Sequence, residues 1–201
     1  RKRILTIFGT RPEAIKLFPL LHALAADARF DSRVCVSAQH RTMLDQVLEI
    51  AGIVPDHDLD LMQPDQSLDA LTAALLTRLG QVMDSEKPDW VVVQGDTATA
   101  MTAAIAAYYR KIPVAHVEAG LRSFNMAMPE EVNRILTDRI SRWLFTPTAL
   151  AAQNLQREGV AAQQVVAVGD VMYDVALHHG ARVGASGGVL GASGVAPGGY
   201  I

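Results

Sequence analysis

Cysteine is nearly absent from this sequence: its 201 residues include one, Cys35, which stands inside an apolar run. One cysteine cannot build a disulfide framework, so the reducing cytoplasm is the expected compartment. No apolar run reaches the roughly 20 residues of a membrane-spanning helix. The first apolar run, residues 4–8, is too short for a signal peptide and is followed by charged residues. We therefore expect no membrane partner.

An excess of positive charge is also missing, since the net charge is −3 and the isoelectric point about 6.1. This balance argues against nucleic acid as the main partner. The first predicted strand is followed by a single glycine, Gly9, and no acidic residue ends the second strand, so the dinucleotide-binding fingerprint is lacking. His116 and Glu118 lie two residues apart without a third metal ligand nearby in sequence. We expect neither a nicotinamide cofactor nor a metal.

Short apolar runs that alternate with helical patterns are the dominant feature of the sequence. The predicted strands are residues 4–8, 33–37, 90–94, 114–117, 143–145 and 165–168. This alternation predicts an α/β fold with an open, mostly parallel, doubly wound sheet of the Rossmann-like type. We assign residues 1–179 to this domain. Residues 180–201 hold eight of the 15 glycines and are predicted to be a flexible linker and the start of a further domain.

Four of the predicted strands are followed by groups that suit a binding site. These are Gly9-Thr10-Arg11, Gln39-His40, Gly95-Asp96-Thr97 and Glu118. Ligands of doubly wound sheets bind beyond the carboxyl ends of the strands, where the strand order reverses. We therefore expect the four groups to share one edge of the sheet and to form a site there.

The first group favours the binding of an anion such as a diphosphate. Gly9 lets a ligand approach the backbone, the following helix start offers free N–H groups, and Arg11 and Lys16 add two cations within two turns. The alternative is an exposed first turn in which Arg11 only pairs with Glu13.

Carboxylates provide the candidate acid and base groups. Asp96 and Glu118 follow strands, although Asp96 could simply cap the next helix. Burial of Glu118 at its strand end would raise its pKa and suit it to proton transfer. Glu130 and Glu131 open a later helix, where acids also complement the helix dipole. At least one of these two is expected to face the crevice.

Several further residues are candidates for ligand contacts. Gln39 and His40 follow the second strand, while Arg122 and Arg134 could pair either with the acids or with a phosphate. His116 is as compatible with a buried core histidine as with a site residue.

Six segments in this order resemble one known family. They are FGTRPEAIK (8–16), AQHRTMLDQVL (38–48), QGDTATA (94–100), HVEAGLRS (116–123), MPEEVNRILTD (128–138) and VGDVMYD (168–174). The sequence resembles the N-terminal half of the non-hydrolysing UDP-N-acetylglucosamine 2-epimerases. The resemblance implies a GT-B-like enzyme of two Rossmann-like domains, which acts as a homodimer on UDP-GlcNAc and UDP-ManNAc for bacterial surface polysaccharides. It also implies that the C-terminal domain is missing here and that this half is inactive alone.

The residues fit elimination and re-addition of UDP, which needs only carboxylates near C2 of the sugar and cations on the diphosphate. We predict Asp96, Glu118 and Glu130 as the acid and base groups. Ligand contacts are predicted for Arg11, Lys16, Gln39, His40, Arg122 and Glu131. A GT-B-type glycosyltransferase half and a non-catalytic sugar-nucleotide-binding module are the alternative interpretations.

Overall fold

The computed structural model of the protein describes residues 1–37, 41–61 and 66–183. These residues form a seven-stranded sheet in the order β3-β2-β1-β4-β5-β6-β7, and each pair of neighbouring strands is parallel. The strands are β1 (Lys2–Phe8), β2 (Phe30–Val36), β3 (His57–Asp58), β4 (Trp90–Gln94), β5 (Val114–Val117), β6 (Trp143–Thr146) and β7 (Val165–Ala167). The helices are α1 (Arg11–Ala26), α2 (Arg41–Ala51), α3 (Leu68–Glu86), α4 (Ala98–Tyr109), α5 (Pro129–Ile140), α6 (Ala149–Arg157) and α7 (Val171–Val183). The predicted parallel, doubly wound sheet is confirmed.

Both faces of the central strands are covered by helices, which explains why these strands read as unbroken apolar runs. Leu5 and Ile7 of β1 pack on one face with α3 and α4. Their neighbours Ile4 and Phe8 pack on the other face with α1 and α2. Successive side chains of a strand point to opposite faces, so one short run supplies both cores.

The strand order reverses between β1 and β4. From β1 the chain builds outward through β2 to β3, and it then returns to place β4 on the other side of β1 and adds β5, β6 and β7. Helices that follow β1 and β4 therefore diverge, and a crevice opens between the carboxyl ends of these two strands. This crevice is where the predicted site residues would have to meet.

Several strand ends differ by one to three residues from the predicted bounds, and two larger departures have a clear physical reason. The stretch after α2, predicted to be irregular, contains the two-residue strand β3, which pairs with Cys35 and Val36 of β2. A strand of two residues has no sequence period that could reveal it. Helix α7 was predicted to end near His179, but it continues through Gly180 to Val183. Glycine in a helix costs only about 1 kcal/mol, so it does not have to end one. The boundary between a domain and a linker at Gly180 stays a prediction.

Gly120, just after β5, permits close packing of the loop against α6. Its φ is +82°, and an added Cβ would overlap the carbonyl oxygen of Ala151 and lie 2.9 Å from Leu155 Cγ. Gly159 has nearly the same φ, +81°, but nothing lies within 4 Å of its Cβ position. The two glycines have nearly the same φ and differ in the space available for a side chain.

We therefore expect Gly120→Ala to lower the free energy of unfolding by at least about 2 kcal/mol, because backbone strain and overpacking add. Gly159→Ala is the matched control and should cost about 1 kcal/mol from strain alone. Urea unfolding of the two variants measures both values. If the two variants lose the same free energy of unfolding, an added Cβ at position 120 does not clash with α6.

Candidate functional site

A cleft of about 180 Å³ opens at the carboxyl ends of β1, β4 and β5. The turn from β1 into α1 contributes Thr10, Glu13 and Lys16 to its lining. The turn from β4 into α4 contributes Gln94, Asp96 and Thr97, while β5 and α5 provide Glu118 and Arg134. Acidic and basic groups from distant parts of the chain thus share one space at the point where the strand order reverses.

Glu118 occupies the end of β5 in a left-handed backbone conformation, with φ +68°. A non-glycine residue in this region stores strain of about 1–3 kcal/mol, which is most common at functional sites. Both carboxylate oxygens accept hydrogen bonds from Lys16 Nζ, at 2.8 and 2.6 Å, and the Gln94 amide also donates to one of them. The side chain is 15% exposed. It is therefore largely buried, and it lies between an ammonium group and an amide.

The side chain of Asp96 lines the cleft and does not cap the helix that follows. The cap of α4 is Thr97, whose hydroxyl accepts from the backbone N–H of Ala100 at 3.0 Å. The Asp96 carboxylate instead accepts from the Arg134 guanidinium, and its backbone carbonyl accepts from Asn133 Nδ2 at 2.9 Å. Two residues of α5 therefore fix the position of this turn.

Glu131 is buried, with 1% exposure, and organises the loop that follows β5. Its carboxylate accepts from the backbone N–H groups of Ser123 and Phe124, each at 2.9 Å, and from Arg134 Nη1 at 2.8 Å. Burial alone would raise the pKa of Glu131, but these donors and the Arg134 charge hold it below its usual range. Because Arg134 also binds Asp96, Glu131 is linked to the cleft without lining it.

Behind the cleft lies a buried charged network that the sequence did not reveal. The guanidinium of Arg122 is 1% exposed and donates to Asp138 at 2.8 Å and to Glu158 at 2.7 Å. His116 Nδ1 lies 2.6 Å from Asp138, and Nε2 donates to the carbonyl of Gly95 at 2.8 Å. Both ring nitrogens of His116 therefore face oxygen atoms. Burial opposes ionisation of Asp138, but the charges of His116 and Arg122 outweigh it and hold its pKa below the ordinary value.

The structure brings some of the predicted site residues together and not others. Lys16, Asp96 and Glu118 line the cleft. Arg11 and Glu130 are exposed and are not part of its lining. Glu131 is not part of the lining either, so the expectation that one of these two glutamates faces the crevice stays a prediction.

The remaining predicted contacts lie elsewhere. Arg122 is enclosed in the network behind the cleft and does not reach it, so contact with a ligand is replaced by pairing with acids. Gln39 and His40 lie outside the described residues. Thr97, which belongs to one of the four groups predicted to form the site, lines the cleft, whereas sequence reasoning did not single out Gln94 or Glu13 as site residues. Their positions could have indicated that they belong to the site, because Gln94 is the last residue of β4 and Glu13 lies in the first turn of the helix after β1.

Two searches of the described residues bear on what the chain could bind. No helix in the described ranges is long and apolar enough to span a bilayer. Within the same ranges, no group of three or more histidine, cysteine, aspartate or glutamate side chains is arranged to hold a metal ion.

A parallel doubly wound sheet with a charged cleft at the reversal point defines a Rossmann-like α/β domain of the kind that binds nucleotides and related ligands. A family profile described as UDP-N-acetylglucosamine 2-epimerase matches residues 22–195. The chain belongs to this family.

Individual relatives agree with this assignment. The UDP-N-acetylglucosamine 2-epimerase of Escherichia coli K12 is 50% identical over 177 residues, which are 87% of this chain and 47% of the relative. The crystal structure of UDP-GlcNAc 2-epimerase from Neisseria meningitidis bound to UDP-GlcNAc is 43% identical with a TM-score of 0.87, covering 90% of this chain and 50% of that one. The chain therefore spans about half the length of the relatives it matches. The lipopolysaccharide outer-core galactosyltransferase WaaB shares only the fold with this chain. Its identity is 11% and its TM-score is 0.61, and the match covers 83% of this chain and 45% of WaaB.

Proposed function

We propose that this chain is the N-terminal half of an enzyme that interconverts UDP-GlcNAc and UDP-ManNAc by eliminating and re-adding UDP. The observation that carries the proposal is the convergence of Glu118, Lys16, Asp96 and Arg134 in one cleft at the strand ends. The relatives named as UDP-N-acetylglucosamine 2-epimerases support the choice of reaction. Synthesis of bacterial surface polysaccharides is the proposed use of the product.

Carboxylates perform the proposed proton transfers. One removes the proton from C2 of the sugar while the C1–O bond to UDP breaks, and the electron pair of the C2–H bond forms a C1=C2 double bond. UDP leaves with the electrons of the C1–O bond. It then re-adds at C1 while a proton is delivered to the other face of C2, which inverts that centre. Two acid groups on different sides of the sugar are therefore sufficient.

Asp96 and Glu118 are the proposed acid and base, because both line the cleft and lie on turns that are held from several sides. Glu130 is proposed as a third group. It is exposed at the start of α5, so its role requires that the substrate extend over the first turn of that helix.

Lys16 and Arg11 are proposed to hold the diphosphate. The backbone N–H groups of Gly9 and Thr10 already donate to Glu13, so the N-terminus of α1 attracts an anion through the positive end of its helix dipole. Lys16 already pairs with Glu118 at 2.6 Å, so a phosphate oxygen beside Lys16 would place the leaving group close to the base. Arg11, exposed at the first position of α1, would reach the phosphate from outside the cleft.

The second half of the site is proposed to come from a C-terminal domain of the size that the relatives possess beyond the matched region. A homodimer in the cytoplasm is the proposed state of the whole enzyme. By itself the chain is expected to be inactive, because its cleft has a wall on one side only.

A chimera tests the proposed function. We expect this chain, joined to the C-terminal half of the E. coli relative, to convert UDP-GlcNAc into UDP-ManNAc. In D₂O the product should carry deuterium at C2, because the proton held by a carboxylate exchanges with solvent between the two steps. Mass spectrometry and NMR of the product measure both, and this chain and the E. coli half tested separately are the controls. Product that keeps its original hydrogen, or GlcNAc transfer that depends on an added acceptor, would contradict the proposal.

A further inference from the structure

Glu13 is a buried carboxyl group beside the cleft for which the proposed reaction has no use. It is 2% exposed and lies in the first turn of α1. One oxygen, Oε2, accepts from the backbone N–H groups of Gly9 at 3.0 Å and Thr10 at 2.8 Å, and from the Thr10 hydroxyl at 2.8 Å. The other oxygen, Oε1, lies 2.9 Å from the hydroxyl of Thr97 on the neighbouring turn. An ordinary helix-capping glutamate stays at the surface, whereas this one joins the β1 and β4 turns from within.

Glu131 offers a direct comparison, because it is as little exposed and also accepts from two backbone N–H groups and one hydroxyl. Glu13 lies deeper below the surface, and the two residues also differ in their fourth partner. Glu131 has the Arg134 guanidinium, whereas Glu13 has the neutral hydroxyl of Thr97. In the described part of the chain the partners of Glu13 are all uncharged. Burial therefore raises the pKa of Glu13 despite its hydrogen bonds, while that of Glu131 is lowered.

The contact between Glu13 and Thr97 can persist in both protonation states of the carboxyl group. The Thr97 hydroxyl accepts from the backbone N–H of Ala100, so its own hydrogen is available to donate to Oε1 of the ionised carboxylate. If Oε1 carries a proton, that proton can be donated to the second lone pair of the Thr97 oxygen instead. Protonation of Glu13 thus reverses one hydrogen bond and breaks none of the others.

Charge balance in the cleft gives a reason for such a change. The charged groups of its lining are three carboxyl groups, Glu13, Asp96 and Glu118, and two cations, Lys16 and Arg134. With every group ionised the lining is net negative, and both cations are already engaged by acids. The negative charge of the lining would repel an incoming diphosphate. This repulsion is weaker when one of the three carboxyl groups is neutral. Glu13 is the one that lacks a cation.

We propose that Glu13 takes up a proton when the diphosphate of the ligand occupies the cleft, so that ligand binding and proton uptake are linked. This inference rests on the proposed function, because it requires an anionic ligand at the N-terminus of α1. Glu13 is then a positioning residue: it holds the Thr10 and Thr97 turns in place and adjusts its charge to the ligand.

NMR of the active chimera, labelled with ¹³C in glutamate and in lysine, tests the inference, because the chimera holds both halves of the site and both Glu13 and Lys16 can be observed. We expect the titration of the Glu13 carboxyl to move to higher pH when UDP is added and to stay unchanged when uridine is added, because only UDP carries the diphosphate. If UDP perturbs Lys16 but leaves the Glu13 titration where it was, the linkage is refuted while the proposed function stands. If UDP perturbs neither residue, both proposals fail.

A variant adds a second, independent measurement. Glu13→Gln imitates the protonated group, so its affinity for UDP should exceed that of the unaltered chain increasingly as pH rises. The ratio of the two affinities should rise by up to about tenfold per pH unit between the Glu13 titration of the free protein and that of the UDP complex, and it should be constant above both. UDP titrates in the same range, but that contribution is common to both proteins and cancels in the comparison. Glu49→Gln, which removes the same charge from the exposed face of α2, should show no such difference. Parallel pH profiles for Glu13→Gln and the unaltered chain would overturn the inference.

Discussion

Replacing Glu118 by glutamine is expected to lower kcat of the active chimera by about 10²–10⁴-fold, the usual contribution of a positioned acid or base. Glutamine keeps the size of the side chain and one carbonyl oxygen that can accept from Lys16 or Gln94. It cannot accept the C2 proton. The left-handed backbone of Glu118 is stabilised by its surroundings, so the variant should place its amide where the carboxylate was. We expect kcat to fall far more than KM rises, since the loss concerns the transition state.

A double-mutant cycle with Lys16→Met separates chemistry from positioning. If Glu118 served only to hold Lys16, Glu118→Gln would have no further effect once Lys16 is replaced. We expect a further loss of at least about 10²-fold in kcat in that background, because the base is lost as well. Exchange of deuterium into C2 should fall in parallel with turnover. A change in kcat of less than about threefold would remove Glu118 from the catalytic groups, since proton transfer contributes far more than that.

Replacing Asp138 by asparagine is expected to lower the free energy of unfolding by about 3–5 kcal/mol, because it leaves buried positive charges without their partner. The Asp138 carboxylate accepts from His116, from Arg122 and from the backbone N–H of Gly120. An asparagine would turn its NH₂ group toward at least one of these donors. The same network supports the Asp96 turn, since His116 also holds the carbonyl of Gly95. Loss of stability and loss of site geometry should therefore appear together.

The effect should depend on pH in a defined direction. The pKa of Asp138 is lowered in the folded protein from its ordinary value of 3.8, so its contribution is complete above that value and is lost as pH falls below it. Urea unfolding should therefore show a large gap between the unaltered protein and Asp138→Asn near neutral pH, and a narrower gap in acid. Asp69→Asn, an exposed acid in the first turn of α3, is the control and should cost at most about 1 kcal/mol. A gap that is the same at both pH values would mean that the charge of Asp138 does not stabilise the fold.

Much of the fold could be predicted because its elements carry strong local signals. Strands β4 and β5 have the predicted bounds, and helix α5 begins where Glu130 and Glu131 were predicted to open a helix. The strands are continuous apolar runs, and α5 begins at a proline, which suits the first helical position. By contrast, β3 consists of two residues whose strand conformation depends on pairing with β2, so nothing local marks it.

The sequence by itself determined which groups reach the site edge, because parallel strands place their carboxyl ends on one side of a sheet. Asp96 and Glu118 could be named on that ground, and Lys16 could be named because it lies within two turns of the start of the helix that follows the first strand. Only the tertiary structure decided the partners, since the pair Lys16 and Glu118 is separated by 102 positions along the chain. It also decided that Glu131 is buried while Glu130 is exposed, because adjacent helical residues point about 100° apart and packing selects one of them. For the same reason, only the tertiary structure placed Arg122 in a buried network and left Glu13 without a cation as a partner. Burial and charge pairing depend on how the helices and strands pack together, so no single segment of the sequence reveals them.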